Sequence, residues 1–430
     1  MARKRRIPED RGDRTTLELL APEGVESRPD FATDVRATVG RMRRALSAAF
    51  SSLTLDPAQG REMARVLGLE KMLAWKLSRV VIDEDPIAAV RMLPGRPGQQ
   101  ALVEALKRME AAPEVVEQVR KSFGDFESMV ATHAGDRETF VMMLSELTDN
   151  GRFERDIEHR KHAFLGNSAM WGVQARVRLS SIVLTPGDDP DFVEVASVSG
   201  LLDFRRLRSE QPWTVASYSS VDSQGSPRST GVVIPLDPRA QERGSAPLLL
   251  DYCSPNFPQL TQTSSGGGSV LVLASPGPVG NSGLLTCLTG LLMKGVVPRW
   301  WQAPNQEDSE LSVMLATPCE MLLFDLFVHH TLTPAMNPRI TSFGALPGDS
   351  LRVCDGPKRR VLRLAEDIIE LGAFPPDLTA FEMGAYPEMM EWVFKRIGHD
   401  ASEFRGFRFR QRYPLIPTKV AYHYESPKKA

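Results

Sequence analysis

The sequence predicts an α+β protein: an all-α N-terminal region followed by a larger mixed α+β C-terminal domain. Three observations carry this. The 430-residue chain is 42% hydrophobic and 25% charged, ordinary globular usage with enough apolar material for more than one core. Up to about residue 150 the apolar residues recur every three or four positions, the helical period. Beyond about Met170 they recur every second position, the period of a strand.

Residues 1–29 read as a mobile charged tail, with Arg3, Lys4, Arg5 and Arg6 ahead of Pro8, Glu9, Asp10 and Asp13. Residues 30–150 read as a helical domain. Its first helix starts at Phe31, where Phe31, Val35, Val39, Met42, Leu46 and Phe50 make one apolar stripe that suits burial in the domain's own core. Asp56 as cap and Pro57 at the first helical position open a second helix, which runs to about Leu67 and stops at Gly68. A third spans about Glu70–Val81, and Asp83–Pro86 starts another that Pro94-Gly95 ends. Further helices are predicted over about Gln99–Ala111, Pro113–Ser122, Glu127–Thr132 and Arg137–Leu147, with a turn at Asp149-Asn150-Gly151.

Residues 151–430 read as the α+β domain, entered by a helix over Phe153–Phe164. Strands are predicted at Val173–Val183, Phe192–Val198, Trp213–Tyr218, Gly231–Leu236, Pro247–Tyr252, Ser269–Ala274, Ser312–Ala316, Glu320–His330, Phe404–Tyr413 and Lys419–Tyr424. Helices are predicted at Leu284–Lys294, Val361–Leu371 and Tyr386–Ile397.

Composition narrows the function. A net charge of −2 excludes a wholesale basic nucleic-acid coat but not a local basic patch. The four cysteines, Cys253, Cys287, Cys319 and Cys354, form no CxxC pair. A structural zinc site of the usual kind and a disulfide scaffold are therefore not expected, and a reducing cytoplasm is. No apolar run reaches membrane-span length, and the charged start lacks the apolar segment of a secretory signal, so no membrane partner is expected.

The strongest motif is Gly60–Arg79, GREMARVLGLEKMLAWKLSR. Two short helices meet at a turn containing Gly68, which suits φ > 0. Ala64 is the small residue expected where the helices cross. Met63, Leu67, Leu69, Ala74 and Leu77 are the inward positions. Residues 41–80 carry eight basic and three acidic side chains. Over these 20 residues the chain resembles the helix-turn-helix superfamily of bacterial DNA-binding regulators. Ala74 departs from the usual larger β-branched residue.

The resemblance implies that the second helix of the pair is a recognition helix with Glu70, Lys71, Met72, Trp75, Lys76 and Arg79 outward. Lys71, Lys76 and Arg79 would reach bases or phosphates, Met72 and Trp75 would make apolar contacts, and Arg41, Arg43, Arg44 and Arg61 would add charge. Trp75 fits packing on a neighbouring helix equally well. The implied partner is double-stranded DNA, with a homodimer matching a palindromic site. A second segment, Leu93-Pro94-Gly95-Arg96-Pro97-Gly98, resembles the hairpin of helix-hairpin-helix modules, although a plain inter-helix loop explains it more simply.

The C-terminal region gives no nucleophile with an evident base. Asp156, His159 and His162 share a helical face but sit in a solvated charge run. His329-His330 would point to opposite faces of a strand, against joint metal ligation. The Gly-rich Ser264–Ser269 and Gly277–Gly283 lack phosphate-loop endings. In Phe404–Tyr413, Phe407 and Phe409 alternate with Arg408, Arg410 and Arg412, a core side and a solvated basic side. No catalytic residue, metal or cofactor is assigned.

The sequence therefore predicts a cytoplasmic bacterial-type, sequence-specific DNA-binding transcriptional regulator whose C-terminal domain senses a ligand, oligomerises or contacts a protein. Two alternatives stay open: a non-enzymatic interaction or assembly protein with a purely structural helix pair, and an enzyme with a site in the C-terminal domain. A pocket holding His329, Asp325 or Cys319 would favour the latter.

Overall fold

A computed structural model describes residues 30–145, 147, 152–219, 231–242, 246–255, 257–265, 268–300, 308–345, 360–425 and 427. The tail at 1–29, the turn at 149–151, the middle of the 264–269 loop and Cys354 lie outside the described residues. The chain divides into two compact units, Met1–Arg152 and Phe153–Ala430, the first helical and the second rich in strands.

The first unit contains α1 (Phe31–Ser52), α2 (Gly60–Leu67), α3 (Lys71–Ile82), α4 (Pro86–Val90), α5 (Arg96–Arg108), α6 (Pro113–His133) and α7 (Arg137–Ser145). Asp30 caps α1, its carboxylate accepting the Thr33 N–H at 3.1 Å. The predicted stripe is the inner face of α1: Val35, Val39, Met42, Leu46 and Phe50 are fully buried. Phe31 is half-buried and meets Phe140 and His133 edge-on.

Several helix boundaries differ from expectation. α5 spans Arg96–Arg108 because Gly95-Arg96-Pro97 starts it three residues early. Asp56 accepts the Ala58 N–H at 2.9 Å, which makes a turn before α2 rather than its cap, and α2 begins at Gly60. The helix after Asp83 is only the short α4. The two helices expected at 113–132 are one, α6. Phe123, Phe126, Met129 and Val130 continue its buried stripe, while Gly124 faces open space and does not interrupt it.

The second unit opens with α8 (Arg152–Trp171), followed by β1 (Val173–Pro186), β2 (Phe192–Arg206), β3 (Trp213–Ser219), β4 (Val232–Pro235), α9 (Pro238–Glu242), β5 (Thr261–Ser265), β6 (Gly268–Leu273) and β7 (Leu285–Pro298). Then come β8 (Asp308–Leu315), β9 (Cys319–His329), β10 (Arg339–Gly344), β11 (Val361–Leu362), β12 (Ile369–Ala373), α10 (Tyr386–Arg396), β13 (Phe404–Arg412) and β14 (Thr418–Glu425). Seven strands form one sheet in the order β12-β13-β9-β1-β2-β7-β4. Four form a second, β11-β10-β14-β8, and three a third, β3-β6-β5. β1 and β9 pair in parallel; the other named pairs are antiparallel.

Strand alternation distributes the core. Leu323 and Phe327 of β9 face α10, where Tyr386, Met389, Met390, Val393 and Phe394 cover them. Leu322, Phe324, Leu326 and Val328 face the four-stranded sheet, against Leu311, Val313, Val420 and Tyr422. The seven-stranded sheet is thus the middle layer, with a helix on one face and a second sheet on the other.

At the centre of that sheet three neighbouring strands hold a polar row. Asp325 of β9 lies in register with Ser181 of β1 on one side and with Arg408 of β13 on the other. Arg408 donates from Nε and Nη2 to the Asp325 carboxylate, at 2.8 and 2.6 Å. The Tyr386 hydroxyl donates to the same carboxylate at 2.5 Å and lies 2.8 Å from Ser181 Oγ. Arg408 is only 1% exposed. The basic side expected to be solvated in Phe404–Tyr413 is therefore interior at Arg408, paired with half-buried Glu382 at Arg410 (2.8 Å), and exposed at Arg412. Phe407 and Phe409 are buried as expected.

Three further expectations fail. Leu284–Lys294 is not a helix but strand β7, whose Gly290 accommodates the Leu249 side chain, 2.6 Å from where a Cβ would stand. Val361–Leu371 is not helical either; β11 and β12 flank an extended stretch. In that stretch Leu364 and Ile368 pack inward and Glu366 pairs with Arg160 at 2.5 Å. Pro247–Tyr252 makes only an isolated bridge and a short 3₁₀ turn. β5 and β10 form without having been anticipated.

Removing one partner of a buried ion pair strands the other charge, at a cost of about 3–5 kcal/mol. Arg408→Ala is therefore expected to destabilise the second unit by that amount. Arg408→Met together with Asp325→Leu should recover much of the loss, as read by denaturant unfolding.

Candidate nucleic-acid interface

The segment carrying the motif folds as two helices around a glycine turn. Gly68 follows α2 at φ +60°, a left-handed conformation natural to glycine. The Leu69 N–H returns to the Ala64 carbonyl at 3.0 Å, and Arg108 donates to the Leu67 carbonyl at 3.0 Å, so the turn is held from α5 as well. Met63, Ala64, Leu67, Ala74 and Leu77 are buried and Leu69 partly so, as their spacing predicts. Gly60 also lies against α3: a Cβ there would stand 3.6 Å from the Trp75 Cα. Beside it the Ser78 hydroxyl donates to the Pro57 carbonyl at 2.5 Å.

The nine predicted contact residues fall into two groups. Lys71, Met72, Trp75 and Arg61 are exposed; Met72 is 55% and Trp75 45% accessible, so Trp75 is not consumed by packing. Steps of three and four place Met72 beside Trp75 and Lys76, and Lys71 beside Trp75, so one face of α3 presents them together. Lys76 is half-buried. Arg79 is half-buried and pairs with Asp83 at 3.3 Å. On α1, Arg41 and Arg44 are exposed, with Arg41 donating to the Thr38 hydroxyl at 2.9 Å. Arg43 turns inward, donating to the Val81 and Asp83 carbonyls at 2.7 and 2.5 Å; it caps the end of α3 rather than facing outward.

Of the Leu93–Gly98 segment, Leu93–Gly95 is a tied-down inter-helix connection and Arg96–Gly98 is the first turn of α5. Arg137 donates to the Leu93 and Pro94 carbonyls and Gln99 to the Pro94 carbonyl. Gly98 is wedged against Pro94 and Leu73, where a Cβ would stand 2.8 and 2.9 Å from their side chains.

In the second unit the residues named as enzyme markers are differently employed. Cys319 is buried, its thiol pushed up to about 12 by desolvation. Asp325 is locked to Arg408. His330 lies just beyond β9, and its ring stands 4.2 Å from that of His329. The two therefore do not point to opposite faces as the sequence predicted, but His330 is not among the side chains whose ligand atoms converge on His329. His329 instead meets two residues that the sequence did not single out, His399 and Glu403. Glu403 Oε2 lies 3.0 Å from His329 Nε2 and 3.0 Å from His399 Nδ1. Its carboxyl is held down at about 2, chiefly by the Asp400 N–H and then by the two imidazoles. His329 is pushed below its usual range by burial. The available sequence signal was the His399-to-Glu403 spacing of four after α10. By contrast His159 and His162 are exposed on α8.

The chain matches no protein-family profile, no curated protein sequence and no solved structure. Any role given to these residues rests on their own chemistry.

A guanidinium bonded to two helix-end carbonyls contributes about 1.5–3 kcal/mol. Arg43→Ala is expected to lower the stability of the helical unit by that amount. Lys71→Ala and Met72→Ala, on the exposed face, should each change it by no more than about 0.5 kcal/mol. Urea unfolding followed by the helical circular dichroism signal distinguishes the two groups.

Proposed function

We propose that the chain binds double-stranded DNA through α3, acting as a sequence-specific transcriptional regulator. The observation that carries this reading is the outward face of α3. There Lys71, Met72 and Trp75 lie exposed together behind the Gly68 turn, with Arg61 exposed on α2. A helix about 10–12 Å across fits a major groove about 12 Å wide. Lysines supply donors to guanine edges and phosphates, while Met72 and Trp75 supply apolar contact to thymine methyls.

The reading is narrower than the sequence alone suggested. Lys71, Met72, Trp75, Lys76 and Arg61 form the contact set, with Arg41 and Arg44 as flanking charge. Arg79 and Arg43 are assigned to holding the helix. A regulator of this kind works in the cytoplasm and commonly reads two half-sites as a dimer; sensing or self-association is the task left to the strand-rich unit.

The test is selection from a labelled duplex pool, followed by titration of the selected duplex at several salt concentrations. Each phosphate contact contributes roughly −0.9 to the slope of log K against log salt on duplex DNA. Lys71→Ala/Lys76→Ala should stay folded, bind more weakly and flatten the slope by about one to two. Trp75 fluorescence should change on binding. A wild-type chain that selects no sequence, or a variant that binds as tightly with the same slope, overturns the proposal.

A further inference from the structure

We propose that His329, His399 and Glu403 form a binding site for one divalent first-row transition ion, zinc by preference, where the end of β9 and the start of β13 meet the turn that follows α10. Among the described residues this is the one group of three His, Cys, Asp or Glu side chains whose ligand atoms converge, all lying within 4.8 Å of one another.

The geometry is close to what an ion requires. Zinc bonds of about 2.0–2.1 Å in a tetrahedron place ligand atoms roughly 3.3 Å apart. Both nitrogen-to-Oε2 separations are 3.0 Å, so a small outward shift of each ring would open the shell. Two imidazoles and a carboxylate are a borderline nitrogen and oxygen set, suited to zinc and its neighbours rather than to calcium or magnesium.

The surroundings orient each ligand. Thr331 flanks His329 Nδ1, its N–H donating to that atom at 3.3 Å and its hydroxyl lying 2.9 Å away. This orients the ring with Nε2, whose proton an ion would displace, towards Glu403. The Asp400 N–H donates to Glu403 Oε1 at 2.8 Å, leaving Oε2 free to ligate. The His330 N–H donates to the Glu403 carbonyl at 2.9 Å, and the His330 ring lies 4.2 Å from that of His329. Phe404 stands edge-on to both imidazoles and is stacked on Phe394, which closes the site on its core side. His329 is buried whereas His399 and Glu403 are partly exposed, so an ion has an entry path and an open position for water or another ligand. Three protein ligands with one open position is the arrangement of exchangeable rather than closed structural zinc sites.

The experiment uses the full chain, stripped with a chelator and titrated with Co²⁺ and then Zn²⁺. The wild type should take up one equivalent of Co²⁺ with the intense visible bands of a tetrahedral ion, and Zn²⁺ should displace them. Zn²⁺ should also raise the thermal midpoint, since an ion that binds only the folded state stabilises it. His399→Ala and Glu403→Gln alter the partly exposed ligands; circular dichroism establishes that each remains folded. Each should weaken binding at least about 10-fold and abolish the Zn²⁺-dependent rise. A folded wild type that takes up no stoichiometric metal overturns the proposal. So does binding that survives both substitutions, which would place the ion elsewhere, such as at His159 and His162. No DNA is present, so the outcome is independent of the nucleic-acid reading.

Discussion

The strand-rich unit depends on one buried ion pair. Arg408 and Asp325 are both withdrawn from water, and neither charge is tolerable without the other. Their pairing fixes more than itself. Asp325 alternates with Phe324 and Leu326, which face the opposite layer, where no cation stands among the described side chains packed on them. A one-residue slip of β9 against β13 would turn the carboxylate into that layer, so the register is set by electrostatics as well as by apolar pattern. Tyr386, the first residue of α10, completes the hydrogen bonding of the carboxylate and seats the helix on the sheet. The turn after α10, with His399 and Glu403, is positioned by the same anchoring.

What could be read in the sequence was local. The α1 stripe, the α2–turn–α3 window and α10 follow from periodicity, caps and a single glycine. The same reasoning failed at β7, because Leu and Met suit a helix as well as a buried central strand, and only the partners β2 and β4 decide. At 361–371 a helical-looking spacing of Leu364 and Ile368 serves an extended segment, since Glu366 is drawn to Arg160 from 206 positions away. The continuous α6 was hidden by Gly124, a residue that breaks helices on average but costs little on an open face.

The candidate sites follow the same division. Lys71, Met72 and Trp75 were legible because a surface face of one helix needs no distant partner. Arg43 was not, since the carbonyls it caps lie 38 and 40 residues further on. The His329–His399–Glu403 group was likewise invisible. His329 and Glu403 are 74 positions apart and meet only through the pairing of β9 with β13. His330, which the sequence discounted as a joint ligand, contributes its backbone N–H and a ring tilted against that of His329.

The parallel union of β1 with β9 has a consequence for how the chain is made. In the helical unit α1 packs chiefly against α6, so its core closes as soon as α6 has been made. β1 emerges with one edge soon taken by β2 and the other left bare until β9 is synthesised, after all of β2 to β8. β9 then carries its own bare edge, and an unpaired Asp325, until β13 follows. Unpaired strand edges recruit other chains. The period between the synthesis of β1 and that of β13 is therefore the interval of greatest aggregation risk. A message broken before the codons for Phe404–Arg412 would leave a product with that edge permanently open.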